Sequence, residues 1–185
     1  MGAYYKATIK DSTTDIYQSI NPHDLNAGSK LMEHGFFDTD YIKFIESILY
    51  KNKSNLIWLC DYHEPDELTN QTWDTVGKAE YINDIDSIYP FKNNEYIILN
   101  HSKKLIIDVK ELLQKMPEIV FKVHPLVILT NSERTSAGGG DYHKEDSRRA
   151  TWCDDIISTN HLSHKYHDDY AEYTDITNDC IFTED

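Results

Sequence analysis

The apolar residues of this chain arrive in short packets rather than in long runs. Leu56-Ile57-Trp58-Leu59-Cys60, Tyr96-Ile97-Ile98-Leu99 and Leu105-Ile106-Ile107 are each flanked by polar, charged or turn-forming residues. Packets of that length suit strands buried in a sheet and are far too short to cross a bilayer. A different pattern follows Asp38 and Thr39, where Tyr41, Ile42, Phe44, Ile45, Ile48 and Leu49 recur at helical spacing. It predicts an amphipathic helix capped by Asp38 or Thr39. Strands and helices mix without regular βαβ alternation, so the expected class is α+β: a single compact domain with a mixed or mainly antiparallel sheet and roughly two to four helices.

The remaining elements follow from local signals. Ala3 to Ile9 reads as an N-terminal strand, Asp11 to Asn26 as a loop or hairpin arm, and Lys30 to His34 as a short helix stopped by Gly35. Trp73 to Tyr81 reads as a helical turn or two, and Asp108 to Met116 as a helix closed by Pro117. Ile119 to Thr130 is strand-like, with Pro125 marking an edge or a bend. Ala150 to Ser158 reads as a strand and Ile176 to Phe182 as a last strand or part of a tail. Residues 1–158 are expected to form the α+β unit. Residues 159–185 form an acidic C-terminal extension packed on it, with Asp168, Asp169, Glu172, Asp175, Asp179, Glu184 and Asp185 against the single base Lys165.

Charge narrows the partners. The formal net charge is -14, which disfavours duplex nucleic acid, whose binding depends on neutralising phosphates. Strong acidity instead suits a soluble surface or a basic protein partner. Three widely spaced cysteines, Cys60, Cys153 and Cys180, suit free thiols in a reducing cytoplasm. Met1 to Lys6 shows no hydrophobic leader, and Lys6 stands where a myristoylation signal carries serine or threonine. The expectation is therefore a cytoplasmic protein without a membrane segment. A homo-oligomer is compatible with the sequence, but nothing in it supports one.

Against that acidic background, all three arginines, Arg134, Arg148 and Arg149, fall close together, beside the glycine run Gly138-Gly139-Gly140. A guanidinium offers a planar fork to phosphate or carboxylate, and glycine amides approach an anion closely. Arg134, Gly138, Gly139, Gly140, Asp141, Tyr142, Arg148, Arg149, Trp152 and His101 are thus the candidate ligand-binding residues, with Tyr142 or Trp152 stacking on a base. The segment lacks the lysine-serine/threonine ending of a P-loop and the spacing of a dinucleotide fingerprint. The competing reading is a surface hairpin whose arginines are neutralised by Glu133, Asp141, Glu145 and Asp146.

Histidines supply the other candidates. His161, His164 and His167 repeat every third residue and could face one way on a helix, the arrangement a divalent metal would use. His63, in Cys60-Asp61-Tyr62-His63, is a further candidate ligand. His101 with Asp61 or Asp141 would make a general acid/base pair, and His101 or His124 bonded to backbone at a strand end is the plainer alternative. No cofactor is otherwise expected.

Several segments in order along the chain resemble a family of small tailed-bacteriophage accessory proteins. They are Gly2-Ala3-Tyr4, Leu31-Met32-Glu33-His34, Trp58-Leu59-Cys60-Asp61-Tyr62, Asn100-His101-Ser102-Lys103-Lys104, His124-Pro125-Leu126 and Gly138-Gly139-Gly140-Asp141-Tyr142. The resemblance carries no assigned activity and implies an accessory, anti-defence role in a bacterial cytoplasm. Three functions follow. The first is binding of a compact phosphate-bearing ligand, such as a nucleotide or nucleotide signal, without turnover. The second is inhibition of a host nucleic-acid-binding or defence protein through the acidic surface. The third is a metal-dependent phosphodiesterase or nuclease.

Overall fold

The stripe of Tyr41, Ile42, Phe44, Ile45 and Leu49 is buried along one helix, and the rest of the chain is arranged around it. In the computed structural model, residues 2–11, 17–64, 73, 77–78, 85–118, 121–133, 140–142 and 146–184 are described. In chain order, β1 (Tyr5–Asp11) and β2 (Tyr17–Ile20) precede the short helix α1 (Leu31–His34). Helix α2 (Asp40–Lys51) leads into β3 (Ser54–Cys60), β4 (Gly77–Lys78) and α3 (Ile85–Ile88). Strands β5 (Tyr96–Asn100) and β6 (Leu105–Asp108) are followed by α4 (Val109–Lys115), β7 (Phe121–Lys122) and α5 (Pro125–Leu129). The chain closes with β8 (Ile156–His161), β9 (Thr174–Asp175) and β10 (Thr183–Glu184).

Among the described residues, eight strands form one sheet in the order β4-β2-β1-β3-β8-β5-β6-β9, and β7 pairs with β10 apart from it. The inner pairs are antiparallel, while β4 and β9 join the two edges in parallel. The protein is therefore α+β with a mixed sheet. Alternation sorts the strands by face. Tyr5, Ala7, Leu56, Trp58, Tyr96, Ile98, Ile107 and Ile157 point into the main core beneath α2 and α5. Ile97, Leu99 and Ile106 point the other way and are covered by Leu162, Tyr170 and Tyr173 of the C-terminal stretch.

Four expectations are corrected. Pro125 does not bend a strand but occupies the first turn of α5, where its missing N–H and fixed φ cost nothing. Gly77 and Lys78 lie in a strand beside β2 rather than in a helical turn, and most of residues 73–81 fall outside the described set. Residues 147–154 are a succession of turns, so β8 begins only at Ile156, and Thr177–Cys180 is a 3-10 turn where a last strand or part of a tail was expected. The helix cap is Thr39, whose Oγ1 accepts from the Ile42 amide, and Asp38 instead adopts a left-handed backbone.

Two buried polar clusters link α2 to the sheet and its flanking elements. The Tyr41 hydroxyl donates to the Ile20 carbonyl and accepts from the Ala7 amide, each at 2.7 Å, which ties α2 to β1 and β2. Glu46, on the buried side of α2, takes hydrogen bonds from Tyr89 Oη at 2.9 Å, from Tyr96 Oη, and from His124 Nε2 at 3.0 Å. Glu46→Ala would leave these three groups without their shared acceptor, so a loss of about 3 kcal/mol in urea unfolding is expected.

His34 Nδ1 donates to the Gly28 carbonyl at 2.8 Å, and its Nε2 accepts from the Trp58 indole at 2.9 Å. Only the neutral ring can do both. Burial lowers its pKa from 6.5 to about 4. Stability is then independent of this group above pH 6.5 and falls as pH drops from 6.5 towards 4, because only the unfolded chain takes up the proton in that window. The full loss is about 3 kcal/mol. Thermal melts between pH 7 and 4 should show this slope in the wild type and a shallower one in His34→Gln.

Candidate functional site

The sheet register divides the candidate residues between two ends of the molecule. Tyr5 pairs with Cys60 at one end, and Ser54 and Asn100 both meet Ile157 at the other. The length of β3 separates them, about 20 Å at strand rise. The end near Cys60 gathers Asp141 and its described neighbours. The Cys60 amide donates to Ser132 Oγ at 3.0 Å, and Asp61 Oδ1 accepts from the Tyr4 amide at 2.9 Å. His63 is buried, with Nδ1 3.6 Å from Glu133. Burial, together with the neighbouring Asp141 carboxylate, pushes the Tyr5 phenol far up. Burial also pushes the Cys60 thiol up to about 12, which keeps it protonated and unreactive.

The two arginines described here are already paired. Arg149 is 4% exposed, and its Nη1 lies 3.3 Å from Asp141 Oδ2 while Nη2 donates to the Tyr142 carbonyl. Arg148 meets Asp146 through Nε at 2.7 Å and Nη2 at 2.5 Å, and its guanidinium sits 4.4 Å from the Phe182 ring centre. Against the opposing effect of burial, that fork holds the Asp146 carboxyl below its usual range. The neutralised-loop reading therefore describes Arg148 and Arg149. Arg134, Gly138 and Gly139 lie outside the described residues.

Other members of the candidate list serve packing. Tyr142 and Trp152 are each 2% exposed, so neither ring presents a face for stacking on a base. The Trp152 amide donates to the Leu129 carbonyl at 2.7 Å, docking this turn on the end of α5. Gly140 has φ +88°, and a side-chain carbon there would fall 2.5 Å from Lys30 Cδ. Its carbonyl accepts from the Met32 amide at 2.9 Å. This glycine fits the loop against the start of α1.

His101 belongs to the opposite end and meets neither Asp61 nor Asp141. Its Nδ1 is 2.8 Å from Tyr173 Oη and its Nε2 is 2.7 Å from Ser158 Oγ. Burial, aided by the Lys53 charge, lowers its pKa to about 4. The rest of that motif is structural: Asn100 and Lys103 both bind Asp155.

The three spaced histidines do not share a face. His161 ends β8 and packs edge-on against Tyr50 and Phe91, each at about 5.3 Å or a little more. His164 and His167 lie 6.3 Å apart in an exposed turn. Among the described residues no three histidine, cysteine or carboxylate groups are placed to hold a metal ion. Beside His161, a cleft of about 310 Å³ is lined by Pro90, Lys92, Glu95, His161, Leu162 and Ser163.

The C-terminal stretch could be read from sequence only as acidic, yet its single base anchors it. Lys165 Nζ lies 2.9 Å from both Asp108 Oδ2 and Asp175 Oδ2, joining this segment to β6 and the cap of α4. No described helix is long and apolar enough to cross a membrane. Comparison with protein-family models finds no match, and comparisons with curated proteins and with solved structures find none either.

The paired arginines should behave differently on mutation. Arg149→Ala leaves Asp141 buried without its cation and should cost about 3–5 kcal/mol. Arg148→Ala removes a partly exposed pair and should cost about 1 kcal/mol or less. Urea unfolding of the two variants tests the difference.

Proposed function

We propose that this chain is a capture protein of the phage accessory type it resembles, binding a basic host defence or nucleic-acid-binding protein through its acidic C-terminal face. One observation carries this reading. The chain has a formal net charge of -14, yet its two described arginines are already paired with Asp141 and Asp146. Meanwhile Asp168, Asp169, Glu172 and Asp179 stand exposed on a stretch held to the sheet by Lys165. Tyr166, 88% exposed, lies among them and supplies a large amphipathic ring, the residue type that commonly anchors protein contacts. An acidic face of this kind speeds encounter with a basic partner and favours it over acidic ones.

A second reading, binding of a compact phosphate-bearing ligand without turnover, draws on the cleft beside His161. Its volume of about 310 Å³ suits a small ligand, and Lys92 has no carboxylate partner among the described residues. Mass spectrometry of small molecules carried through native purification tests it. A phosphate-bearing molecule retained by the wild type and lost in Lys92→Ala supports it, whereas retention by that variant moves the ligand away from the cleft.

For the first reading, a tagged chain should retain a basic protein from a bacterial host lysate at about 0.1 M salt and release it near 0.5 M, as screening requires. Tyr166→Ala combined with Asp168→Asn, Asp169→Asn and Glu172→Gln should abolish retention, and Arg148→Ala should preserve it. Retention that ignores both salt and the acidic substitutions would defeat the proposal.

A further inference from the structure

The contacts of His101 have the connectivity of a nucleophile, a base and an orienting group. Ser158 Oγ lies 2.7 Å from His101 Nε2, and His101 Nδ1 lies 2.8 Å from Tyr173 Oη. Ser158 stands on β8 opposite Leu99, so the sheet fixes its backbone. The His101 amide donates to the Ile156 carbonyl at 2.8 Å, and Ser102 Oγ accepts from the Ile156 amide at 2.9 Å. Asn100 Oδ1 accepts from the Lys103 amide at 2.9 Å, closing the turn that carries the imidazole. Both partners are therefore held on rigid elements, as a reacting pair requires. Ser158 is 8% exposed and His101 is half-buried, so the pair lies just beneath the surface.

We propose that Ser158 and His101 form a nucleophile–base pair that transfers small acyl groups from activated esters to water, with Tyr173 as the positioning residue. With Nδ1–H donated to the Tyr173 oxygen, Nε2 is bare and accepts from the serine. Ser158 Oγ attacks the ester carbonyl carbon as its proton passes to Nε2. The carbon–oxygen bond to the leaving alcohol then breaks, and that alcohol takes the proton from Nε2. Water repeats the sequence on the acyl-serine, releasing the carboxylic acid and restoring Ser158. His101 is neutral through the physiological range, and the positive field of Lys53 favours negative charge developing nearby. The orienting group is a phenol rather than a carboxylate, which steadies the imidazolium less and restricts the pair to reactive esters. This chemistry is independent of the acidic face and of the cleft beside His161.

Fluorophosphonate labelling followed by peptide mass spectrometry tests the pair. The expected result is an adduct on Ser158 in the folded wild type and none there in urea. His101→Gln should slow labelling by about a hundredfold or more, the scale of a lost general base. Tyr173→Phe should slow it by roughly tenfold, a lesser effect for a group that acts only through the base. Circular dichroism establishes that the variants are folded. If His101→Gln fails to fold, the contrast between folded and urea-treated wild type still decides. No Ser158 adduct in the folded wild type, or equal labelling in folded His101→Gln, overturns the proposal.

Discussion

A carboxylate placed out of reach of water must be given hydrogen-bond donors, and Glu46 takes them from three separated parts of the chain. Tyr89 follows α3, Tyr96 opens β5 and His124 precedes α5, and all three meet on this one side chain of α2. Thr159 of β8 adds a bond from its hydroxyl to the Glu46 carbonyl at 2.8 Å. The helix is thereby fixed in position over the sheet as well as buried against it. Apolar packing alone tolerates sliding, whereas a buried polar group with fixed partners penalises every alternative arrangement. The Tyr41 and Trp58–His34 hydrogen bonds apply the same logic at the other side of the core.

That arrangement explains how the candidate residues are distributed. Because β3 and β8 meet only near Ser54 and Asn55, the Cys60 end of the sheet and the His101 end cannot contribute to a common centre. Gly140 closes against the start of α1, and Arg149 is committed to the interior. The other end holds the Ser158–His101–Tyr173 relay. Between them, the C-terminal stretch covers the second face of the sheet with Leu162, Tyr170 and Tyr173 and leaves Asp168, Asp169, Glu172 and Asp179 exposed. One segment thus contributes apolar cover, an acidic surface and the phenol beside His101.

Much of this was legible before any coordinates. The helix at α2 was readable because six apolar residues at a period near 3.6 leave no other economical burial, and β3, β5 and β6 because their packets are short and flanked by turn signals. The misreadings have equally local causes. Pro125 sits where it starts a helix, a position that proline's fixed φ suits as well as an edge strand. Glu46 interrupts the buried side of an otherwise regular stripe, and nothing in the local pattern marks it as an acceptor shared by distant residues. Lys165 looked like an isolated base in an acidic tail, although three carboxylates from β6, α4 and β9 converge on it.

By itself, the sequence determined the α+β class, the main helix and most of the inner strands, because these follow from the period and length of apolar segments. It also determined the acidic balance and the neighbourhood of the arginines with the glycine run. Only the tertiary structure decided what those polar residues do. Whether an arginine faces a ligand or an internal aspartate, and whether a histidine meets Asp141 or Ser158, depends on strand register and on which face is covered. Neither is a property of neighbouring residues in the chain, since both arise when distant segments share one core.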